Sequence, residues 1–256
     1  MSDKEAVANF WQEHWNNSHI AAEDFVKGRY VEEAFAELNA SIRPESSKIL
    51  EAGCGTGRLC ALLARARPTC EVVGLDISEA SIGLARKLKS ALALPNVHFE
   101  QGDLFSLSYP DDSFDTVFNE GVIHHFKEDG NPSSSDALRE MIRVLKPGGQ
   151  LIVTVANWNC YPHTLYKWIL GKRGVKYPYG YEKSYRRAEL ARQLSEHGIS
   201  DIQFGGYYPA HGFYRLASNS RLFHWLGRFT DLIGTPFVVN TFGFQMVARG
   251  IKPMSV

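Results

Sequence analysis

The sequence predicts an α/β fold in which helices cover both faces of a doubly wound, seven-stranded, mostly parallel sheet. Two observations lead to this prediction. From residue 48 to residue 156, short apolar segments alternate with amphipathic helical segments. The apolar segments are almost continuously hydrophobic, which is typical of parallel strands buried between two layers of helices. In such sheets, ligands bind beyond the carboxyl ends of the strands.

Five strands are predicted in this first region, separated by helices whose apolar residues recur at helical spacing. The strands are expected at 48–53, 71–76, 97–101, 114–119 and 150–156. The helices are expected at 57–67, 78–92 and 136–149. Pro68 ends the first of these helices, and Ser78 is a suitable N-cap for the second.

The last two strands are predicted after a longer region of mixed character. A helix at 185–199 precedes strands at 200–208 and 241–250. Between these strands lies 221–234, an amphipathic segment with an aromatic face. The seven strands and their helices are expected to form a single domain.

The composition is that of an ordinary globular protein. Apolar residues make up 44% of the chain and charged residues 22%. The 28 basic residues balance the 28 acidic ones, so the net charge does not favour nucleic acid as a partner. No signal-peptide pattern and no apolar stretch of bilayer length is present, so we expect a cytoplasmic protein.

The cysteines and histidines show no pattern of a disulfide framework or a metal site. The four cysteines lack CxxC spacing, so we expect reduced and mostly buried thiols. His14, His19, His163 and His211 are scattered along the chain without ligand spacing, and we interpret them as surface or pocket-wall residues. No metal is therefore expected.

The segment "EAGCGTG", which begins at Glu51, carries three glycines where the first predicted strand meets the first helix. Glycines at such a turn let backbone N–H groups and a helix N-terminus approach a ligand closely. A dinucleotide-binding GxGxxG pattern would need a glycine at Arg58, and no phosphate-binding GxxxxGK[ST] loop is present. The alternative is that these glycines only form a tight turn.

This segment resembles motif I of the class I S-adenosylmethionine-dependent methyltransferases. Three further segments are similar to that family in order and spacing. They are Asp76 at the end of the second strand, "GDLFSLSYPDDSFDTVF" at 102–118, and "RVLKPGGQLIVT" at 143–154. The resemblance is close over 48–156 and looser beyond it. It implies a Rossmann-like methyltransferase fold and S-adenosylmethionine as the cofactor.

The resemblance also implies roles for residues at the strand ends. The glycine segment would wrap the methionine and ribose moieties, through Gly53, Cys54, Gly55 and Gly57. Glu51 would lie near the ammonium group, and Asp76 would hold the ribose hydroxyls. The adenine and sulfonium neighbours would be Ile77, Asp103, Leu104, Asn119 and Glu120.

His124 and His125 follow the fourth strand, on the rim where the methyl group is expected to emerge. A hydroxyl or ammonium nucleophile must lose a proton, and histidine is a natural acceptor near neutral pH. Adjacent residues on a helical turn point about 100° apart, so we expect one of the two to face the cleft. The alternative is that both only cap or line the wall.

The acceptor is expected to contact the aromatic segments. Trp11, Trp15 and Tyr30 precede the sheet, and 157–181 is dense in Tyr and Trp. One interpretation is a lid over a flat or apolar acceptor, and the other is a simple cover for the sheet. A second aromatic group extends the pocket, contacts a membrane surface or forms a dimer face, in that order of preference; it comprises Phe223, Trp225, Leu226, Phe229 and Leu232.

The expected organisation is one domain over 1–256. Its parts are a helical cap at 1–45, a cofactor-binding core at 46–156, and substrate-side insertions at 157–183 and 207–240. The predicted function is transfer of a methyl group to an oxygen, nitrogen or carbon of a small, partly apolar metabolite. Alternatives are a non-catalytic module that binds the cofactor or a partner, and a nucleic-acid methyltransferase.

Overall fold

A seven-stranded sheet forms the centre of the computed structural model, which describes residues 3–17, 21–216 and 220–254. The strands are β1 Lys48–Ala52, β2 Glu71–Asp76, β3 Val97–Gln101, β4 Phe114–Glu120, β5 Leu145–Ala156, β6 Ser200–Tyr207 and β7 Gln245–Ile251. Their order is β3-β2-β1-β4-β5-β7-β6. Only β7 runs antiparallel to its neighbours. The predicted seven-stranded, mostly parallel sheet is confirmed.

Helices flank this sheet on both faces. They are α1 Asp3–Asn16, α2 Arg29–Ser41, α3 Arg58–Ala66, α4 Glu79–Ala91, α5 Ser134–Val144, α6 Tyr161–Lys172, α7 Arg187–Glu196, α8 His211–Leu216, α9 Arg221–Leu232 and α10 Pro236–Phe242. Ser78 caps α4 as predicted, since its hydroxyl accepts the backbone N–H of Ser81 at 3.1 Å. α1 and α2 precede the sheet, α6 lies between β5 and α7, and α8–α10 lie between β6 and β7.

The sheet separates two hydrophobic cores because successive strand residues point to opposite faces. Ile49 packs with α2, α3 and α4 on one face, whereas Leu50 packs with α5 and α7 on the other. Both side chains are fully buried. Truncation of such a residue to alanine costs about 2–5 kcal/mol in the free energy of unfolding. The continuous apolar character of the strands is therefore required by burial on both sides.

The fifth strand begins earlier than predicted. Its pairing with β4 advances from Phe114 to Thr116 while β5 advances from Leu145 to Gln150. The extra residues form a bulge that includes the Pro-Gly-Gly segment, which the sequence suggested as the end of a helix and a turn. The backbone N–H of Gly148 donates to the carbonyl of Lys252 at 2.7 Å, so the bulge is held by the C-terminal segment.

The expected reduced and mostly buried thiols are found within the described residues. All four cysteines, including Cys54 and Cys60, are free and buried. None of the helices in the described ranges is long and apolar enough to cross a membrane.

Candidate active site at the carboxyl edge of the sheet

A cavity of about 390 Å³ lies at the carboxyl ends of β1, β2 and β4. The strand order reverses between β1 and β4, and this is the point at which ligands bind in doubly wound sheets. One end of the cavity is formed by the glycine turn and the strand ends. The other end is formed by α1, the segment 177–182 and α8. The predicted site and two distant parts of the chain therefore meet in one space.

Glycine is required at each of the three positions of the turn for a different structural reason. All three adopt positive φ, +87° at Gly53, +53° at Gly55 and +72° at Gly57. A Cβ at Gly53 would lie 2.6 Å from Val122, and one at Gly57 would lie 2.5 Å from Phe99. A Cβ at Gly55 would meet no atom within 4 Å. Gly55 is therefore the glycine that opens towards the cavity.

The structure brings Gly53, Cys54 and Gly55 to the cavity wall but leaves Gly57 out of it. Gly57 is instead the N-cap of α3, and the absence of a side chain lets Phe99 pack against it. Its predicted contact with a ligand is not what the structure shows. Close packing between the helix and the sheet accounts for this glycine.

Two buried carboxyl groups face the cavity beside the turn. Asp76 accepts the backbone N–H of Gly55 at 2.8 Å and that of Ser78 at 2.9 Å. Burial raises its pKa, and these two donors oppose the shift. Burial also raises the pKa of Glu51, to about 8, although the Cys60 thiol donates to this carboxyl at 2.9 Å. Glu51 is therefore largely protonated at neutral pH until a cation approaches it.

Ile77, Asp103 and Leu104 also line the cavity, as predicted from their positions after β2 and β3. The Asp103 carboxylate accepts the Lys4 ammonium group at 2.8 Å. Lys4 belongs to α1 and was not among the predicted site residues. The signal for it is a stripe on one face of α1, whose cavity-lining members are Lys4, Val7, Ala8, Trp11, His14 and Trp15.

Glu120 and Asn119 point in different directions from the end of β4. Glu120 lines the cavity and accepts Arg58 at 3.0 Å and the hydroxyls of Tyr30 and Tyr207. Burial alone would raise the pKa of Glu120, but the Arg58 charge and the two hydroxyls outweigh it and lower that pKa. Asn119 does not line the cavity.

The buried Asn119 amide donates to the carbonyl of Ala52 at 2.5 Å and so ties β4 to β1. Its predicted place beside the ligand is not what the structure shows. Asn119 and Glu120 are consecutive in β4, so their side chains point to opposite faces of the sheet, and only Glu120 reaches the cavity.

His124 and His125 lie on a single 3₁₀ turn, Ile123–His125, and both line the cavity, which differs from the expectation that only one would. The Nδ1 atom of His124 accepts the backbone N–H of Ala156 at 3.0 Å. Nδ1 of His125 lies 2.7 Å from the carbonyl of Tyr181 and must donate to it. The neutral rings therefore carry their protons on opposite nitrogens. His124 presents an N–H at Nε2, and His125 presents a lone pair there.

Both rings are neutral at physiological pH. Burial and the neighbouring His125 lower the pKa of His124 to about 3. Burial also lowers the pKa of His125, although the Tyr181 carbonyl opposes the shift. The two ring centroids lie 4.5 Å apart. The pair therefore offers one hydrogen-bond donor and one proton acceptor side by side.

Aromatic rings from opposite ends of the chain close the far end of the cavity. The Trp11 ring stacks on Tyr179 at 6.3 Å and meets His125 edge-on at 5.6 Å. Tyr177 packs against Tyr179 at 5.6 Å and donates its hydroxyl to Glu182. The predicted aromatic contribution of 157–181 is thus present, in its last residues.

Arg215 of α8 is a cationic group in this aromatic end. Its guanidinium lies 4.8 Å from the Tyr179 ring, and its Nε donates to Nε2 of His211. Within the described residues, no carboxylate pairs with it. Burial lowers the pKa of His211 to about 3, so this histidine is neutral beside Arg215. Sequence reasoning missed Arg215 because nothing in the pattern of this short helix marks it.

The other histidines are explained by their surroundings. His14 and His211 line the cavity, and His163 is fully buried and lies 2.9 Å from Glu182, not at a surface or wall. His19 lies outside the described residues. Among the residues that are described, no cluster of His, Cys, Asp or Glu is suited to hold a metal ion.

The aromatic face of α9 does not extend the cavity. None of the predicted pocket residues on it, Phe223, Trp225, Leu226, Phe229 and Leu232, lines the cavity. Trp225 and Phe229 are exposed instead. The preferred prediction for this segment is therefore wrong, because α9 packs on the outer side of α8 and α8 supplies the cavity wall.

The chain is similar in sequence to bacterial methyltransferases of small molecules. It is 33% identical over 128 residues to the fatty-acid O-methyltransferase of Mycolicibacterium smegmatis, a match that covers 50% of this chain and 44% of that protein. It is 33% identical over 116 residues to the demethylmenaquinone methyltransferase of Thermus thermophilus, covering 45% of this chain and 50% of that one. The matched region thus spans half or less of the length of these relatives.

A solved structure shares the fold of this chain, and a family model identifies the family. The methyltransferase in complex with the Trm112 activator from Haloferax volcanii superposes with a TM-score of 0.66 at 20% identity, covering 97% of this chain and 96% of that one. The family model described as "Methyltransferase domain" matches residues 44–204, which is more than half of the chain. With its cavity at the strand-order reversal, the chain belongs to the class I S-adenosylmethionine-dependent methyltransferases.

Proposed function

We propose that this protein transfers the methyl group of S-adenosylmethionine to a hydroxyl of a small, partly apolar acceptor. The observation that carries the proposal is the position of His125 in the cavity. Its Nε2 lone pair is free because Nδ1 donates to Tyr181, and the ring contacts Trp11 in the aromatic end. A proton acceptor set among aromatic rings suits an apolar molecule that must lose a proton.

The residues at the sheet edge fit the cofactor. The open space at Gly55 admits a close approach to the backbone, and each Asp76 oxygen retains a lone pair for a ribose hydroxyl. Glu51 is buried and, within the described residues, forms no ion pair of its own, because Arg58 pairs with Glu120; it therefore suits the methionine ammonium. Asp103 and Ile77 suit the adenine edge and face. When bound, the cofactor supplies an electrophilic methyl group on a sulfonium.

In the proposed reaction, the two histidines have complementary roles. Nε2 of His125 takes the proton of the acceptor hydroxyl. The Nε2–H of His124 donates to the same oxygen and holds its direction. The ring of His125 then carries a positive charge, which the Tyr181 carbonyl stabilises at Nδ1–H.

The aromatic end orients the acceptor and excludes water. Trp11 and Tyr179 form facing planar walls, and Tyr177 is held in place by its hydrogen bond to Glu182. Alignment of nucleophile and methyl group is the main requirement of an in-line displacement. The relatives named for a fatty acid and for demethylmenaquinone support an acceptor with a large apolar part.

The test compares His125→Gln with His124→Gln, using labelled methyl transfer to a panel of alkylphenols, naphthols and fatty acids. We expect His125→Gln to lower kcat by about 100-fold, the usual loss for a general base. His124→Gln retains a hydrogen-bond donor, so its kcat should fall by less than about tenfold. In the wild type, kcat/KM should fall as the pH drops below 6.5, because the pKa of His125 is lowered from that value.

Near-normal turnover in His125→Gln would remove His125 from the mechanism. Binding of S-adenosylhomocysteine without transfer to any member of the panel would instead support a non-catalytic cofactor-binding module. Transfer to DNA or RNA alone would support the nucleic-acid alternative.

Arg215 favours a second candidate acceptor, an apolar carboxylic acid. This guanidinium lines the cavity and has no acidic partner within the described residues, so it suits an acceptor carboxylate. A carboxylate is already an anion and needs no proton acceptor. Arg215→Gln would then raise KM for fatty acids, whereas His125→Gln would leave kcat for them unchanged. The opposite pattern supports the hydroxyl acceptor.

A further inference from the structure

The exposed apolar side chains of this protein are concentrated in one part of the chain. Within the described residues, 13 large hydrophobic side chains are exposed, and 12 of them lie between Trp158 and Phe237. The remaining one is Met254, near the C-terminus. Isolated exposed hydrophobic residues are common, but a concentration of this kind marks an interaction surface.

Two helices carry most of these side chains on single faces. On α6 they are Tyr161, Leu165 and Trp168, at helical spacing. On α9 they are Leu222, Trp225, Phe229 and Leu232, also at helical spacing. The rings of Trp225 and Phe229 stack at 5.5 Å, and Leu232 is 84% exposed. Each helix thus presents an apolar stripe that no described residue covers.

The stripes are connected through α10. The Tyr161 ring lies 6.0 Å from Phe242, and Phe242 lies 6.4 Å from Phe237, which is 70% exposed. Exposed Ile233 joins the end of α9 to α10. We refer to the exposed apolar residues of α6, α9 and α10, together with Ile233, as the outer apolar surface.

Basic residues border the outer apolar surface. Lys172, Arg173 and Lys176 follow the stripe of α6, and Arg221 and Arg228 lie on α9. All five are exposed, and none forms an ion pair with any described residue. The segment 158–181 contains four basic residues and no acidic one, although the whole chain has 28 of each.

The acidic group on α9 does not reduce this positive charge at the surface. Asp231 is largely buried, pairs with Arg29 at 2.5 Å and accepts the Tyr214 hydroxyl. Its charge is therefore neutralised on the inner side of α9. The border of the outer apolar surface remains basic.

We propose that the outer apolar surface docks this protein on an anionic lipid bilayer. Trp, Tyr, Phe and Leu side chains would enter the interfacial layer, and the basic border would contact the headgroup phosphates. Contact with a second copy of the chain is less favoured, because a symmetric dimer through this surface would bring the five unpaired basic residues of each copy together.

The outer apolar surface lies near the aromatic end of the cavity. Tyr177 and Tyr179 follow α6, and Arg215 belongs to α8, which packs between α6 and α9. The helices α6 and α9, which carry the outer apolar surface, therefore pack against α8, which forms part of the cavity wall. When the protein is docked, the aromatic end of its cavity would lie close to the bilayer.

The experiment is co-sedimentation of the full chain with vesicles of phosphatidylcholine alone and with vesicles that also contain phosphatidylglycerol. We expect binding to the anionic vesicles, and weaker binding as salt is raised. The double variants Trp225→Ser/Phe229→Ser and Lys172→Glu/Arg173→Glu should each weaken this partitioning by at least about tenfold. These residues lie outside the cavity, so thermal unfolding and S-adenosylhomocysteine binding should be unchanged.

Matched controls are Met254→Ser for the apolar change and Arg65→Glu/Lys87→Glu for the charge change, since these exposed residues lie elsewhere on the surface. The controls should bind vesicles like the wild type. The proposal is overturned if the wild type ignores both kinds of vesicle, or if the variants bind as well as it does. A dimer in light scattering that Trp225→Ser/Phe229→Ser abolishes would also overturn it and identify a second copy as the occupant.

Discussion

The two ends of the cavity, which we propose hold the cofactor and the acceptor, are lined by different kinds of groups. At the cofactor end, the walls are main-chain atoms and short acidic side chains that follow β1, β2 and β3, such as Gly55, Asp76 and Asp103. At the acceptor end, the walls are large rings from segments far apart in the chain, such as Trp11, Tyr179 and His211. The first end depends on local backbone geometry, and the second depends on how distant segments pack.

Because of this difference, the two ends should tolerate different substitutions. A strand end and its turn are held by sheet hydrogen bonds, so the cofactor end should be rigid and intolerant of added volume. The rings at the acceptor end are held by one another and by single contacts such as Tyr177 with Glu182. Changes there should alter acceptor recognition and leave cofactor binding intact.

Gly55→Ala and Gly57→Ala should separate ligand contact from packing within the cofactor end. Gly55→Ala should weaken S-adenosylhomocysteine binding by about 10- to 100-fold, because the new methyl group enters the cavity and displaces backbone contacts. Its positive φ should cost about 1 kcal/mol in unfolding free energy. Calorimetric titration and thermal unfolding measure the two effects.

Gly57→Ala is the matched control, with the same substitution in the same turn. It should cost about 2–4 kcal/mol in unfolding free energy, since its Cβ clashes with Phe99 and its φ is also positive. Where the variant remains folded, its affinity for the ligand should be near that of the wild type. Equal loss of affinity in both variants would contradict the assignment of Gly55 as the glycine that faces the ligand.

Trp11→Leu should affect only the acceptor end. Loss of the stacked ring is expected to raise the acceptor KM by about threefold to tenfold, the value of one aromatic pair. The dissociation constant for S-adenosylhomocysteine should stay within about twofold, because the ring contacts Tyr179 and His125 and not the glycine turn. Trp168→Leu, on the outer face of α6, should change neither quantity with a short soluble acceptor. A lower cofactor affinity in Trp11→Leu would show that the two ends are coupled.

Glu51 should make cofactor affinity depend on pH. Its folded-state pKa is raised to about 8, so the carboxyl is mostly protonated at pH 7 and must ionise to pair with an ammonium group. Affinity should therefore rise about fivefold from pH 7 to pH 8, and binding should release part of a proton. Titrations in buffers of different ionisation enthalpy measure this release.

The same shift affects stability, with the opposite dependence on pH. A carboxyl whose folded-state pKa is raised above its ordinary value of 4.5 loses its stabilising effect as the pH rises towards 8. Glu51→Gln should remove both the proton release and this part of the pH dependence. Unchanged proton release in Glu51→Gln would show that another group ionises.

The sequence allowed a close prediction of the strands and of most cavity residues at their ends, but two predicted site residues do not line the cavity. Asn119 and Glu120 are neighbours in β4, and side-chain alternation sends only Glu120 into the cavity. Gly57 was grouped with the other glycines, although its conformation serves packing against Phe99. A motif identifies the turn, whereas the direction of each residue depends on the geometry around it.

The order of strands and helices, the glycine turn and the acidic residues beyond it follow from short-range patterns, because periodicity and turn chemistry act within a few residues. The acceptor end and the direction of each histidine proton do not. Trp11 was expected at the acceptor, but its contact with His125, the Tyr181 carbonyl beside that ring and the place of Arg215 depend on packing between elements that are distant in sequence. Local patterns carry no record of such contacts, so the sequence predicted the cofactor and a partly apolar acceptor, whereas the direction of each histidine proton and the place of Arg215 came only from the structure.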